Sequence, residues 1–357
     1  MEGRKMNFIN LPRIRLAHLP TPLQELPRLA KVLNGPRIYV KRDDLTGLAF
    51  GGNKTRKLEY LMGEAVRQGA DYIVTGAGFH SNWCTQTAAA ARKLGMKVAL
   101  VKTGPKDGYD PEGYDGNHLL HFLSGAEIKT VKPEHAQRVE EETMETLKAA
   151  GHRPYRLMAT GSTPLGVAGH VNCMLELMAQ IVDRGLKVDY LVQATGSGGT
   201  QAGLIIGAKA FNTQIKVIGS TTGSRSRENA VENVGNIIDE TLRVLGFNLE
   251  ITADDIVVHD QYAGEGYGFM TEAKAEAIKI LAETEGLFLD PVYTSSAMAC
   301  LIDLCRKGFF RREDVIVFFH TGGTAALFPY KALLKAYEYG KKFPWIIPPW
   351  HPSTLEG

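Results

Sequence analysis

DYLVQATGSGGTQAGL, residues 189–204, runs from an apolar strand-like segment through a glycine-rich turn into a segment that opens a helix. In such a turn the backbone N–H groups converge on one point and the helix N-terminus adds about half a positive charge, which suits a phosphate dianion. Glycine lets the backbone approach a ligand closely. The same pattern also serves as a purely structural turn, and both readings stand at this point. The loop lacks the GK[ST] ending of a P-loop. A dinucleotide site is the weaker phosphate reading, because the next strand ends in GSTTGS and offers Ser220 and Thr221 where a ribose-binding acid is required.

The strand, turn and helix pattern recurs outward from this stretch. Short apolar or β-branched runs occur at 37–40, 72–75, 97–101, 127–131, 190–193, 216–219 and 315–320, with segments of helical spacing between most of them. That alternation predicts an α/β fold with parallel sheets covered by helices. TRKLEYLMGEAVRQG, residues 55–69, places Leu58, Leu61, Met62 and Val66 on one helical face, and a charged helix is expected over 134–150. The units between about 57 and 168 suffice for a second, smaller sheet. The expected organisation is a large domain begun by 1–56, an inserted small α/β domain over 57–168, and the remainder of the large domain over 169–357. WIIPPWHPSTLEG, residues 345–357, is too proline-rich for a helix and is expected to form an extended tail or a subunit contact.

Composition narrows the function. The 357 residues are 44% hydrophobic and 22% charged, and 41 Lys and Arg against 39 Asp and Glu leave a formal charge of +2. No global field favours nucleic acid or an anionic membrane, so a small-molecule partner is expected. No run approaches the ~18 apolar residues of a membrane span, and the N-terminal stretch lacks signal-peptide features, which predicts a cytoplasmic protein. Cys84, Cys173, Cys300 and Cys305 form no CxxC pair and fit a reducing compartment, and the ten histidines form no metal-binding cluster, so no metal is expected.

A second chemical signal is KRDDLTGLAFGGNKTRKLEYL, residues 41–61, in which Lys54 follows Gly51, Gly52 and Asn53 at the start of a helix. A lysine there reads either as a solvated surface residue or as an amine whose pKa is lowered by the positive helix end. GAGFHSNWCTQTAA, residues 76–89, places Ser81 and Asn82 at a strand-to-helix turn, where they serve as caps or as ligand contacts. LDPVYTSSAMACLIDL, residues 289–304, and VFFHTGGTAALFPY, residues 317–330, complete the set.

Together these segments resemble the fold-type II pyridoxal-phosphate enzymes of tryptophan synthase beta-like fold, with two open twisted, mostly parallel α/β domains. The resemblance is to the group of D-cysteine desulfhydrase, 1-aminocyclopropane-1-carboxylate (ACC) deaminase and L-cysteate sulfo-lyase, and it runs from about Leu19 to Tyr330. It implies that Lys54 carries pyridoxal 5'-phosphate as an aldimine, that Asn82 hydrogen-bonds the cofactor's 3-hydroxyl, that Thr195, Gly196, Gly198, Gly199 and Thr200 hold its phosphate, and that Thr321 faces the pyridine nitrogen. Ser81, Tyr293 and Tyr267 match residues that act on the substrate, and His80, Asn82 and Thr294 fall among its contacts. The implied reaction is β-elimination from a small amino acid to pyruvate and ammonia by a homodimer.

Within the group, ACC deaminases carry Glu after the tyrosine of DPVY, whereas Thr294 stands here as in the desulfhydrases. The arginine usual three residues after the Ser-Asn pair is absent, with Trp83 and Thr85 in that region, and His80 replaces the usual glutamine. D-cysteine, releasing sulfide, is the first expected substrate. L-cysteate, releasing sulfite, is an alternative for which His80, Ser81, Thr85, Ser162 and Arg225 are the polar candidates, and ACC is a second alternative. A nucleotide-dependent oxidoreductase and a catalytically silent cofactor-binding protein are the competing classes.

Overall fold

The computed structural model describes residues 8–79, 81–104, 115–223 and 225–338. His80, most of the Gly104–Gly116 segment and the WIIPPW tail lie outside these. The strands are β1 (Leu23–Glu25), β2 (Arg37–Arg42), β3 (Tyr72–Gly78), β4 (Lys97–Thr103), β5 (Glu127–Val131), β6 (Pro154–Arg156), β7 (Tyr190–Thr195), β8 (Lys216–Thr221), β9 (Val257–His259) and β10 (Val315–His320). The helices are α1 (Pro27–Val32), α2 (Lys54–Arg67), α3 (Asn82–Lys93), α4 (Gly116–Leu123), α5 (Ala136–Ala149), α6 (Pro164–Asp183), α7 (Gly199–Ala210), α8 (Arg227–Leu245), α9 (Glu272–Glu285), α10 (Thr294–Arg306) and α11 (Lys331–Glu338).

They form two sheets. One has six strands in the order β1-β2-β10-β7-β8-β9, parallel except for the β1–β2 pair, and the other has four parallel strands in the order β5-β4-β3-β6. The larger sheet is apolar on both faces, as parallel strands covered by helices require. Leu191, Val217, Val317 and Phe319 pack against residues of α6, α7 and α8, while Ile38, Val192, Ile316 and Phe318 pack against α1, α9 and α10. Leu58 and Met62 of α2 join Ile73, Val98 and Leu100 beneath the smaller sheet. Helix α6 is apolar and long enough to cross a membrane by composition alone, yet 56% of its apolar window is buried. Its packing against α2 and α7 accounts for that apolarity.

Two expectations need adjustment. Val66 is 44% exposed, because at about 100° per residue it falls roughly a quarter-turn from the stripe of Leu58, Leu61 and Met62, and Ala65 takes the inward position. The charged helix begins after a 3-10 turn at Pro133–His135. Sequence patterning also passed over β1, β6 and β9, each only three residues long.

Candidate active site

Three loops meet at the carboxyl ends of the strands. Thr195 ends β7, Thr221 ends β8 beside it, and Thr321 follows β10. Ligands of open α/β sheets bind at this edge, where helix N-termini also point. A cleft of about 660 Å³ opens here, lined by Lys54, Ser81, Asn82, Thr195, Gly196, Gly198, Thr200, Tyr267, Tyr293 and Thr321 among others. Segments from at least six separate parts of the chain thus meet in one cavity. Among the described lining residues only Lys54 and Arg225 carry charge, and no Asp or Glu lines the cleft.

Lys54 is the first residue of α2 and follows two glycines at positive φ, Gly51 (+76°) and Gly52 (+137°). A side chain at Gly52 would collide with Gln86 and Thr321, so the close approach that seats the lysine loop requires glycine. Burial pulls the Lys54 amine down to about 8, against the opposing charge of Asp290. Such an amine is uncharged far more often than a surface lysine at neutral pH, which suits it to nucleophilic attack and proton abstraction.

The glycine turn is shaped for close approach to the cleft. Gly198 lies in the left-handed region (φ +91°) and caps α7. A Cβ at Gly199 would sit 2.5 Å from Ser162 Oγ and 2.8 Å from Lys57 Nζ. Lys57 is fully buried, donates to Thr160 O at 3.2 Å and Ser162 Oγ at 3.0 Å, and has no carboxylate partner among the described residues. Burial, then the neighbouring Lys54 charge, holds its pKa well below the usual lysine range. If it is to carry its proton beside a glycine turn and a helix N-terminus, such an amine needs an anion to offset its desolvation. Thr200 Oγ1 accepts from Asn53 Nδ2 at 2.9 Å, whereas the Thr195 hydroxyl donates to Gln201 at 2.7 Å.

Opposite stand two phenols. Tyr267 and Tyr293 share a hydrogen bond of 2.6 Å. Burial pushes Tyr267 up to about 12 and Tyr293 well above the ordinary value, so both are protonated at neutral pH and can donate. Tyr293 is aimed by Asp290, whose carboxylate accepts from the backbone N–H groups of Val292, Tyr293 and Thr294 at 2.9, 2.9 and 2.7 Å. This explains a correction. Thr294, expected among the substrate contacts, is fully buried and absent from the cleft wall, because its hydroxyl is bonded to the Asp290 carboxylate at 2.7 Å.

Other expected contacts also divide. Ser81 caps α3, accepting from Cys84 N, and still lines the cleft. Thr85 does not reach the main cleft and is bonded to Asn117 and His121 instead. Gly199 lies behind the wall formed by its neighbours, Ser162 bonds Ser197 at 2.8 Å beside it, and Arg225 stands exposed at the cleft, donating to Gly196 O at 3.2 Å. Lys57, Asn53 and Ser197 escaped sequence reasoning. For Lys57 a signal existed, since a residue three positions after Lys54 shares its helical face.

Known proteins share this sequence pattern and fold. The sequence profile of the family described as pyridoxal-phosphate dependent enzyme matches residues 14–322. A 1-aminocyclopropane-1-carboxylate deaminase from Burkholderia multivorans is 40% identical over 339 residues, covering 92% of this chain and 99% of the relative. A solved structure described as an ACC deaminase homologue superposes with a TM-score of 0.83 at 36% identity, covering 92% of this chain and 97% of its own. A solved threonine deaminase, at 21% identity and a TM-score of 0.61 over 85% of this chain and 92% of that one, shares the fold.

Proposed function

The chain belongs to the pyridoxal-phosphate dependent enzyme family, and from that membership we propose that it is a lyase eliminating a β-substituent from a small amino acid, with D-cysteine as the first substrate and sulfide, pyruvate and ammonia as products. Pyridoxal phosphate is its cofactor. The residues present suit that group: the uncompensated Lys57 cation, the turn 196–200 and Asn53 with Thr200 accommodate the phosphate, and Lys54 faces the same cleft. When bound, the cofactor supplies an aldehyde that captures amines and an electron-withdrawing ring that accommodates negative charge at the α-carbon.

The protein's own groups do the rest. Lys54 is the amine that would hold the cofactor through its aldehyde carbon and that, once displaced by the substrate amine, would take the α-proton. Asn82 and Thr321 stand at the cleft wall where they orient the ring, and Ser81 at the N-terminus of α3 is placed to receive the substrate carboxylate. The Tyr267 and Tyr293 hydroxyls supply a proton to the departing group. The observation that carries β-elimination over cyclopropane opening is the carboxylate-free cleft: the position that resemblance gives to Glu in ACC deaminases is Thr294, buried and bonded to Asp290.

The alternatives rest on separate observations. ACC is favoured by the name of the 40% identical relative. L-cysteate is favoured by Arg225, whose guanidinium has no carboxylate partner among the described residues and could face a sulfonate. Release of the oxo acid, pyruvate from D-cysteine, L-cysteine and L-cysteate or 2-oxobutanoate from ACC, with sulfide and sulfite assayed separately, tests the proposal. Turnover of ACC alone, to 2-oxobutanoate and ammonia, would overturn it. The free thiols of Cys84, Cys173 and Cys300 are buried, which supports a reducing compartment, and the family resemblance supports a homodimer.

Two predictions arise here. The lowered Lys54 pKa means that capture of added pyridoxal phosphate by cofactor-free protein speeds up about tenfold per pH unit below pH 8 and levels off above it, rather than near the ~10.4 of an ordinary lysine. Stopped-flow absorbance across pH 6–10 (about the range where the fold is expected to hold) measures the inflection. Lys57→Met removes a charge-assisted contact, and the dissociation constant for pyridoxal phosphate rises about 10- to 100-fold in equilibrium titration.

A further inference from the structure

We propose that Asn117 is a positioning residue that fixes which end of the Asn82 amide faces the cofactor; this rests on the reading that pyridoxal phosphate occupies the cleft. An amide presents a donor on one edge and an acceptor on the other, and a cleft residue is useful to an anionic ring oxygen only through its N–H₂ edge. Asn82 lines the cleft and is free to rotate about its terminal bond unless a neighbour chooses for it.

A chain of buried hydrogen bonds makes that choice. Its fixed end is the backbone carbonyl of Ser81, which can only accept. His121 Nε2 lies 3.2 Å from that oxygen and therefore carries the proton. The same nitrogen lies 2.9 Å from Thr85 Oγ1, so the Thr85 oxygen accepts there and its own proton goes to its best acceptor, Asn117 Oδ1 at 2.9 Å. A longer 3.4 Å contact joins Thr85 Oγ1 to Ser81 O. With Oδ1 of Asn117 so occupied, its Nδ2 donates to Asn82 Oδ1 at 2.7 Å. The Asn82 N–H₂ is left on the opposite edge, above Gly323, where a Cβ would lie 2.5 Å from Nδ2. Asn117, Thr85 and His121 are 1%, 7% and 0% exposed, so water does not compete for these bonds.

The chain spans two elements. Asn117 and His121 belong to α4, Ser81, Asn82 and Thr85 to the start of α3, and α4 itself packs against the 324–330 segment that follows the Thr321 turn. The polarity of a cleft amide is thereby set by a helix that does not line the main cavity.

The test is cofactor affinity in a double-variant cycle, with apoprotein titrated by pyridoxal phosphate and followed by its visible band. Asn117→Asp keeps the shape but can only accept, which turns the Asn82 amide round; its dissociation constant rises about tenfold. In an Asn82→Ala background the same substitution adds nothing further, because its effect passes through Asn82. Thr85→Val weakens binding in the same direction and Thr85→Ser restores it, a pair that carries the test if Asn117→Asp does not fold. Unchanged affinity in Asn117→Asp, or a loss that persists without the Asn82 amide, overturns the proposal. Failure of the wild-type apoprotein to gain a Lys54-dependent visible band would instead overturn the cofactor reading beneath it.

Discussion

Replacing Lys54 by alanine leaves a colourless protein with turnover reduced by about 10,000-fold or more, since the proposed function gives one amine the work of both covalent anchor and base. Borohydride reduction of the wild-type holoprotein fixes the cofactor on the peptide containing Lys54, and mass spectrometry of a digest reads the site. The fold survives the change. Lys54 forms no ion pair among the described residues, and its depressed pKa means that the folded protein holds that proton less tightly than the unfolded chain. A base with a lowered folded-state pKa detracts from stability at neutral pH, and the deficit disappears as pH rises through about 8 toward the unfolded value. Cofactor-free Lys54→Ala therefore melts no lower than cofactor-free wild type at pH 7. A variant that kept its colour and normal turnover would remove the foundation of the proposed chemistry.

Arg56→Met destabilises the protein by about 3–5 kcal/mol, the cost of breaking a buried charge network by removing one partner. Arg56 is 1% exposed, donates to both carboxylate oxygens of Asp43 at 2.7 and 2.8 Å, and donates to both of Glu176 at 3.0 and 2.9 Å. Lys41 of β2 also bonds Glu176, so the network joins the large sheet, the lysine helix α2 and the core helix α6. Chemical denaturation at pH 7 measures the loss, and a decrease below about 1 kcal/mol would show that the network contributes little. Its pH signature is specific. Burial alone would raise the Glu176 carboxyl, but the hydrogen bonds and charge of Arg56, with Lys41, bring it down to about 2. A carboxylate with a depressed folded-state pKa contributes stability that is complete above its unfolded value near 4.3 and is lost as pH falls toward 2. The acid limb of wild-type stability is accordingly steeper between about pH 4 and 2 than that of Arg56→Met.

The parts of the protein legible in its sequence are those built from contiguous residues. Residues 189–204 announce strand, turn and helix because each step is local: an apolar run, glycines that tolerate left-handed backbone, and small residues opening the helix. The seven longer strands were legible for the same reason, while three-residue strands such as β6 exist only because β3 offers an edge to pair with. Val66, expected on the inward face of α2, yields it to Ala65, which at about 100° per residue lies nearer the inward stripe.

The site divides along the same line. Lys54 and the 195–200 loop stand out through their immediate neighbours, whereas Thr294 was expected in the cleft because the resemblance puts it where ACC deaminases carry Glu. Only the folded turn shows Asp290 gathering three backbone N–H groups and the Thr294 hydroxyl, which turns one residue toward the cavity and its neighbour away. Lys57 becomes intelligible only beside Ser162, 105 positions away in the chain.

By itself the sequence determined the α/β class and the strand, glycine turn and helix of residues 189–204, and it marked Lys54 as a candidate, because backbone conformation and helix polarity follow from a dozen adjacent side chains. Tertiary structure decided which polar groups face one another: Lys57 with no carboxylate partner among the described residues, the carboxylate-free wall and the Asn117 to Asn82 hydrogen bond. Those depend on distances between segments that no local pattern encodes, and burial is what makes such pairings strong enough to matter.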